Sequence, residues 1–259
     1  MTKKKKSNFK ILIMGLPGSG KTYLARRIVK LLNADWFNAD KIRGDYDDWD
    51  FSNAGIIRQV KRMKKLADSS KKKFVVADFI CPIKKQIEIF KPNFIIWMDT
   101  IKKSKYQRMN KLFSKPKKYD LRIEEKNLKI NLMQFNDKFF GYKWENTLPT
   151  IQMMGRFQPW HYGHRKLFEK CILKTGQVNI MVKNVKKNKN NPYSFLQVKK
   201  KIDQDLLYFK KRIKITKVPE IVEICYGRKV GYKVKKIKLN PKIEKISATS
   251  IRNSLRKKN

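Results

Sequence analysis

The chain has 259 residues, with 64 Lys and Arg against 21 Asp and Glu, and a formal net charge of +43. Hydrophobic content of 41% with 12% aromatics is enough for packed cores and excludes wholesale disorder, and the length suits two domains. Three scattered cysteines, Cys81, Cys171 and Cys225, with no C-x-x-C, exclude a disulfide framework and a cysteine zinc site, while the lack of an apolar run of about 18 residues excludes a membrane-spanning helix.

Residues 1–8 read as a solvated basic tail, too weakly followed by apolar residues to be a secretory signal, so a reducing, cytoplasmic setting is expected. Short apolar runs predict strands at 9–14, 73–78 and 93–98, and helical periodicity appears at 21–32, 54–68, 82–90 and 102–112. Residues 114–122 carry little periodicity and read as a mobile basic loop. Around 141–150 the chain passes Gly141 and Pro149, which places a domain boundary between 9–148 and 149–259. The second half alternates again. Strands are expected at 151–156, 178–183, 213–217, 221–225 and 233–238, and helices at 163–175, at 194–208 and from Ala248, with a Lys and Asn loop at 186–192. Strands separated by helices imply an α/β fold: a parallel sheet with helices on both faces, then a smaller Rossmann-like unit.

After the first strand the chain reads Gly15-Leu-Pro-Gly18-Ser19-Gly20-Lys21-Thr22, a G-x-x-x-x-G-K-[ST] loop in its required strand-to-helix setting. Backbone N–H groups of such a loop converge on phosphate oxygens, Lys21 reaches the β- and γ-phosphates of ATP, and the Thr22 hydroxyl can ligate Mg²⁺. Together with Asn38-Ala-Asp40-Lys-Ile-Arg43, with Phe51-Ser52 before a helix and with Asp78-Phe-Ile-Cys81-Pro82, this half resembles the adenylyl-sulfate kinase family over about residues 9–130. The resemblance implies that Asp40 assists Mg²⁺ or the attacking hydroxyl and that Arg43 holds an anionic acceptor. Arg108 lies where P-loop kinases place a lid arginine; an exposed helix arginine is the plain alternative. Against the family's usual Asp-Gly-Asp, Asn38 stands for the first Asp, so phosphoryl transfer is implied more firmly than adenylyl sulfate as its acceptor.

The two histidines, His161 and His164, share one tetrapeptide in Gly155-Arg156-Phe157-Gln-Pro-Trp160-His161-Tyr-Gly-His164. No further ligand stands at metal spacing, which leaves a structural pair or two imidazoles donating to nucleotide phosphates. With Ile246-Ser247-Ala-Thr249-Ser250-Ile-Arg252, about residues 150–256 resemble the H-x-G-H nucleotidyltransferases, nearest the nicotinamide-nucleotide adenylyltransferases. The resemblance implies that Gly155, Arg156, Phe157, both histidines, Ser247, Thr249, Ser250 and Arg252 surround a triphosphate.

The leading expectation is a bifunctional enzyme that uses MgATP and small anionic substrates. One half would phosphorylate a hydroxyl on an anionic acceptor, the other would transfer AMP with release of pyrophosphate. A ribosylnicotinamide kinase joined to a nicotinamide-nucleotide adenylyltransferase is an alternative. Others are an end-processing kinase on nucleic acid, motivated by the charge, and a non-catalytic basic module. The lysines are spread over both halves and also fit a compositional bias.

Overall fold

The computed structural model describes residues 8–225, 227–228, 231 and 233–256. The expected basic tail falls outside these residues except for Asn8. That residue is anchored: its side-chain amide donates to the carbonyls of Ala67 at 3.1 Å and Ser70 at 2.7 Å. The chain divides into two compact units, 1–138 and 139–259.

The first unit runs β1 (Phe9–Met14), α1 (Lys21–Leu32), β2 (Asp35–Asn38), α2 (Ala39–Asp45), α3 (Asn53–Ser69), β3 (Phe74–Phe79), α4 (Lys84–Phe90), β4 (Phe94–Met98), α5 (Gln107–Leu112), β5 (Leu121–Ile123) and α6 (Leu128–Phe139). Its five strands form a parallel sheet in the order β2-β3-β1-β4-β5. Ile11, Leu12, Ile13 and Met14 in the central strand are all fully buried, so both faces are covered, as a parallel sheet requires. Leu12 and Met14 pack with Val60 and Met63 of α3, Phe90 of α4 and Trp97 of β4. Phe94, one residue out of phase with the Ile95 and Trp97 face, meets Phe135 of α6 edge-on at 6.0 Å. The site-bearing loops follow β1, β2 and β3 at the carboxyl edge of this sheet.

Four elements here lie outside the expected set. Residues 114–122 end in β5, where Ile96 pairs with Leu121 and Met98 with Ile123; three residues take up strand structure because β4 offers an edge. The short β2–α2 unit was not anticipated, and α6 hides its pattern by burying Asn131, Gln134 and Asp137 along with Ile130 and Phe135.

The second unit runs β6 (Ile151–Gly155), α7 (Tyr162–Thr175), β7 (Val178–Lys183), α8 (Phe195–Asp205), β8 (Ile213–Val218), α9 (Pro241–Glu244) and α10 (Ala248–Arg256). The strands form a parallel sheet in the order β6-β7-β8. Met153, Val178, Ile180, Val182 and Ile213 face a buried layer with Phe168, Ile172, Val198 and Ile202 of the helices. On the opposite face a polar ladder crosses all three strands: Thr216 Oγ1 donates to Asn179 Oδ1 and Asn179 Nδ2 to Gln152 Oε1, each at 2.8 Å. The expected strands at 221–225 and 233–238 do not form among the described residues; Val222 and Val234 are exposed, and no neighbouring strand receives their backbone.

Residues 139–150 belong to the second unit and are held by fully buried Gln177. Its Nε2 donates to the Glu145 carbonyl at 2.7 Å, the Leu148 carbonyl at 3.2 Å and Thr150 Oγ1 at 2.6 Å. Its Oε1 accepts from the Tyr142 hydroxyl at 3.1 Å and the Glu145 amide at 3.4 Å. Arg212 lies over the Tyr142 ring at 3.6 Å. Among the described residues no helix is long and apolar enough to cross a membrane.

Candidate functional sites

In the first unit the strand-to-helix turn has the shape a phosphate cradle needs. Gly15, Gly18 and Gly20 have φ of 148°, 81° and 95°, values open to glycine. At Gly15 the space is closed as well: a Cβ would come within 2.5 Å of the Met98 carbonyl oxygen of β4. Gly20 is the left-handed residue from which α1 starts, with no side chain capping it, so the helix N-terminus is open to an anion. Ser19 is fully buried, its Oγ has no partner among the described residues, and its carbonyl accepts from Thr100 Oγ1 at 2.7 Å.

Lys21 folds back to donate from Nζ to the Leu16 carbonyl at 3.0 Å. Burial draws its ammonium down to about 8, against the pull of Asp78 and Asp40. The Thr22 hydroxyl donates to Asp78 Oδ2 at 2.9 Å. Asp78, nearly fully buried at the end of β3, also receives Trp36 Nε1 on Oδ1 at 2.6 Å and Asn38 Nδ2 on Oδ2 at 3.0 Å. Burial raises its carboxyl above the usual range, while those three donors and Lys21 oppose the rise.

Asp78 is the residue that sequence reading left without a role. The signal was present, because an Asp ending an apolar strand that runs parallel beside β1 arrives next to the loop threonine. A hydroxyl and a carboxylate are hard oxygen donors, and Mg²⁺ takes such a pair while keeping waters and nucleotide oxygens. The residues therefore fit the ion, and Thr22 with Asp78 would be the side chains that hold it.

Asp40, expected at the ion, is exposed in the first turn of α2, where its charge acts on both Lys21 and Arg43. Arg43 is buried, donates from Nη1 to the carbonyls of Asp48 at 2.8 Å and Asp50 at 3.0 Å, and stacks on Phe51 at 4.6 Å. Asp40 and Arg43 share a narrow crevice with Phe51, Gln59, Cys81 and Met109. Arg108 is exposed on α5. Thus the loop, Thr22 and Asp78 are in mutual contact, Asp40 and Arg43 border one crevice, and Arg108 stands outside it.

In the second unit both histidines lie at the start of α7, in the turn after β6. His161 Nδ1 accepts the Gly163 amide at 3.1 Å and His164 Nδ1 accepts the His161 amide at 3.3 Å. The rings stack at 3.7 Å. Since each Nδ1 is an acceptor, each neutral ring carries its proton on Nε2. Burial lowers His161, and burial with the His161 charge brings His164 down to about 3. The pair is therefore two neutral N–H donors at neutral pH.

Phe157, buried and left-handed with φ of 52°, packs on Trp160 at 5.3 Å and edge-on to His164 at 4.9 Å. Gly155 makes room for it: a Cβ there would sit 2.9 Å from the Phe157 ring. The Ser247 hydroxyl accepts the Ser250 amide at 3.1 Å at the start of α10, and exposed Thr249 accepts from Arg252 Nη2 at 3.0 Å. Arg252 Nη1 also binds the Gln158 carbonyl, which fastens α10 to the histidine loop. Beside that loop a basic hollow opens past the strand ends, lined by Arg156, Lys183, Lys186, Asn188, Asn191 and Glu220. Asn191 is 8% exposed and its Oδ1 has no partner among the described residues. The sequence offers the basic run Lys183–Lys189 as a means of steering an acidic substrate, with a solvated loop as the plain alternative; Lys183 and Lys186 of that run line the hollow.

No family model matches the chain, and no curated protein matches it. Solved structures similar to it include an APS kinase from Mycobacterium tuberculosis as a Cys556Ala mutant, 20% identical at a TM-score of 0.42, covering 52% of this chain and 99% of that one. A sugar kinase from Janibacter sp. HTCC2649 is 11% identical at 0.41, covering 51% and 95%. A gluconokinase from Sinorhizobium meliloti 1021 is 11% identical at 0.39, covering 53% and 93%.

Proposed function

We propose that the chain is an ATP-dependent transferase with two centres, a kinase in residues 9–138 and an adenylyltransferase in the second unit. The observation that carries the kinase reading is the convergence of Lys21, Thr22 and Asp78 on one glycine loop. Loop amides and Lys21 grip the β- and γ-phosphates, and the charge of Lys21 offsets what builds up as the phosphoryl group moves. Mg²⁺, when bound at Thr22 and Asp78, neutralises phosphate charge. Asp40 at the crevice mouth accepts the proton of the acceptor hydroxyl, and Arg43 in its wall favours an anionic acceptor. Adenylyl sulfate is the first acceptor to try.

In the second unit the two Nε2–H groups donate to the triphosphate of ATP while an oxyanion attacks the α-phosphorus and pyrophosphate leaves. The donors are neutral before the nucleotide arrives, so no proton need be moved for them to act. Arg156, Lys183 and Lys186 attract the anionic acceptor, and Ser247 with Arg252 close on the phosphates.

One observation favours a second reading, a kinase and adenylyltransferase pair acting on nicotinamide nucleotides. The unpaired, buried Asn191 Oδ1 in a basic hollow suits an acceptor with both a phosphate and an N–H donor such as a carboxamide. Purified protein with ATP and separate arms of sulfate, adenylyl sulfate, nicotinamide riboside and its phosphate, with products identified by mass, tests both. A 3′-phosphorylated adenylyl sulfate supports the sulfur route and NAD the second. Failure of every arm to consume ATP would defeat the enzyme reading.

A further inference from the structure

Asn38 and Asp78 are register partners at the ends of parallel strands β2 and β3. Their side chains meet, with Asn38 Nδ2 donating to Asp78 Oδ2 at 3.0 Å. The other end of the Asn38 amide is also engaged, since Oδ1 accepts the Lys41 amide at 2.9 Å and caps α2. One side chain therefore ties the carboxylate beside Thr22 to the helix that carries Asp40 and Arg43. A second carboxylate at position 38 would stand about as close to Asp78 as the amide does. Both would then face each other in a buried setting, and one would have to take a proton. The chain solves this with one acid and one amide.

The hydrogen-bond chemistry of the pair is symmetric. In the exchanged variant N38D/D78N, the carboxylate now on β2 would still accept the Lys41 amide. The side-chain amide now on β3 would still accept Trp36 Nε1 through its oxygen. Its nitrogen would donate to the carboxylate on β2, with the Thr22 hydroxyl free to turn and accept. Trp36, Lys41 and the exchanged amide keep acceptors, the Thr22 O–H alone turns away from the pair, and the single negative charge moves by one strand.

We propose that Asn38 and Asp78 form one carboxylate–amide unit that supplies the ion-facing charge of the kinase centre. The charge is needed once, from either strand, and Asn38 is the positioning residue that holds it in line with α2. This rests on the kinase reading above.

The test uses the full chain and two probes, ADP and magnesium. Melting curves of the first unit are recorded without ligand, with ADP, and with ADP across a magnesium titration, for wild type, N38D, D78N, N38A and N38D/D78N. Binding to the folded state raises the melting temperature by mass action, so the titration reports magnesium affinity without any turnover. Wild type is expected to gain a magnesium-dependent shift. D78N, which removes the charge, is expected to weaken magnesium about tenfold or more. N38D, in which one shared proton leaves a single charge, is expected to bind it no worse than about threefold below wild type. The double variant is expected to return within about threefold of wild type, the non-additivity of a coupled pair.

A merely structural pair would move the ligand-free melting temperature and leave magnesium affinity alone. That result overturns the proposal, as does a folded double variant no better than the weaker single. N38A, which removes the tie and adds no charge, keeps the test open if D78N fails to fold; wild-type magnesium affinity in N38A overturns the proposal. If wild type shows no ADP shift at all, the kinase reading itself falls and takes this with it. If it shows one and the exchange fails, only the exchange falls.

Discussion

His164 shows how surroundings decide what one side chain can do. Packed against Phe157, Trp160 and His161, it is held neutral down to about pH 3, whereas in the unfolded chain it takes a proton near 6.5. The folded value is the lower one, so its stabilising contribution is complete above 6.5 and is lost as pH falls from there towards 3. Stability of the second unit, followed by urea unfolding of the full chain at a series of pH values, should therefore decline across that window, and His164→Asn should flatten the decline. Lys21 offers a second pH handle. Its ammonium begins to lose its proton near 8, so the affinity of the ligand-free protein for ADP, read by calorimetry, should weaken as pH climbs past that value. Lys21 and the two histidines were legible because glycine loops and paired imidazoles need fixed residue types at fixed spacing. Asp78 was not, because its importance comes from strand pairing: only the β1–β3 register brings a residue 56 positions from Thr22 to its hydroxyl.

The elements divide along the same line. Strands β1, β3, β4 and β7 and helices α1, α3 and α7 were readable from their own apolar periods, because each buries a face of apolar side chains. Strand β5 was not, since Leu121-Arg-Ile123 becomes a strand only against β4 and sits in a run rich in Lys. Helix α6 turns Asn131, Gln134 and Asp137 inward, which erases the polar–apolar contrast that a sequence reading depends on. The reverse error occurred at 221–225 and 233–238, where apolar and polar residues alternate but, among the described residues, no neighbouring strand completes a ladder. The sequence places a domain boundary around 141–150 with residues up to 148 in the first domain, yet residues 139–150 group with the second unit, where Gln177 alone gathers five hydrogen bonds from or to Tyr142, Glu145, Leu148 and Thr150. Gln177→Ala leaves several of those groups unpaired and should cost about 2–4 kcal/mol, judged at about 1–3 kcal/mol for each buried group left unsatisfied and partly recovered by water. Denaturant unfolding would measure it, and limited proteolysis should cut first within 139–150.

At the scale of the molecule, the residues of each proposed phosphate grip lie wholly within one compact unit, with no residue of one set drawn from the other. Lys21→Ala should therefore reduce phosphoryl transfer by about 10²–10³-fold and leave AMP transfer unchanged, and His164→Ala should do the converse, by the usual effect of losing one preorganised donor. Two separate assays on the same preparation decide it; loss of both activities in either variant would show the units to be coupled. The two grips differ in how soon a growing chain can assemble them. The P-loop and its strands are complete once Ile123 has been made. The histidine turn is fastened by Arg252, whose partner Gln158 lies 94 residues earlier. At about 5–20 residues per second, synthesis separates the second turn from its clasp by roughly 5–20 seconds.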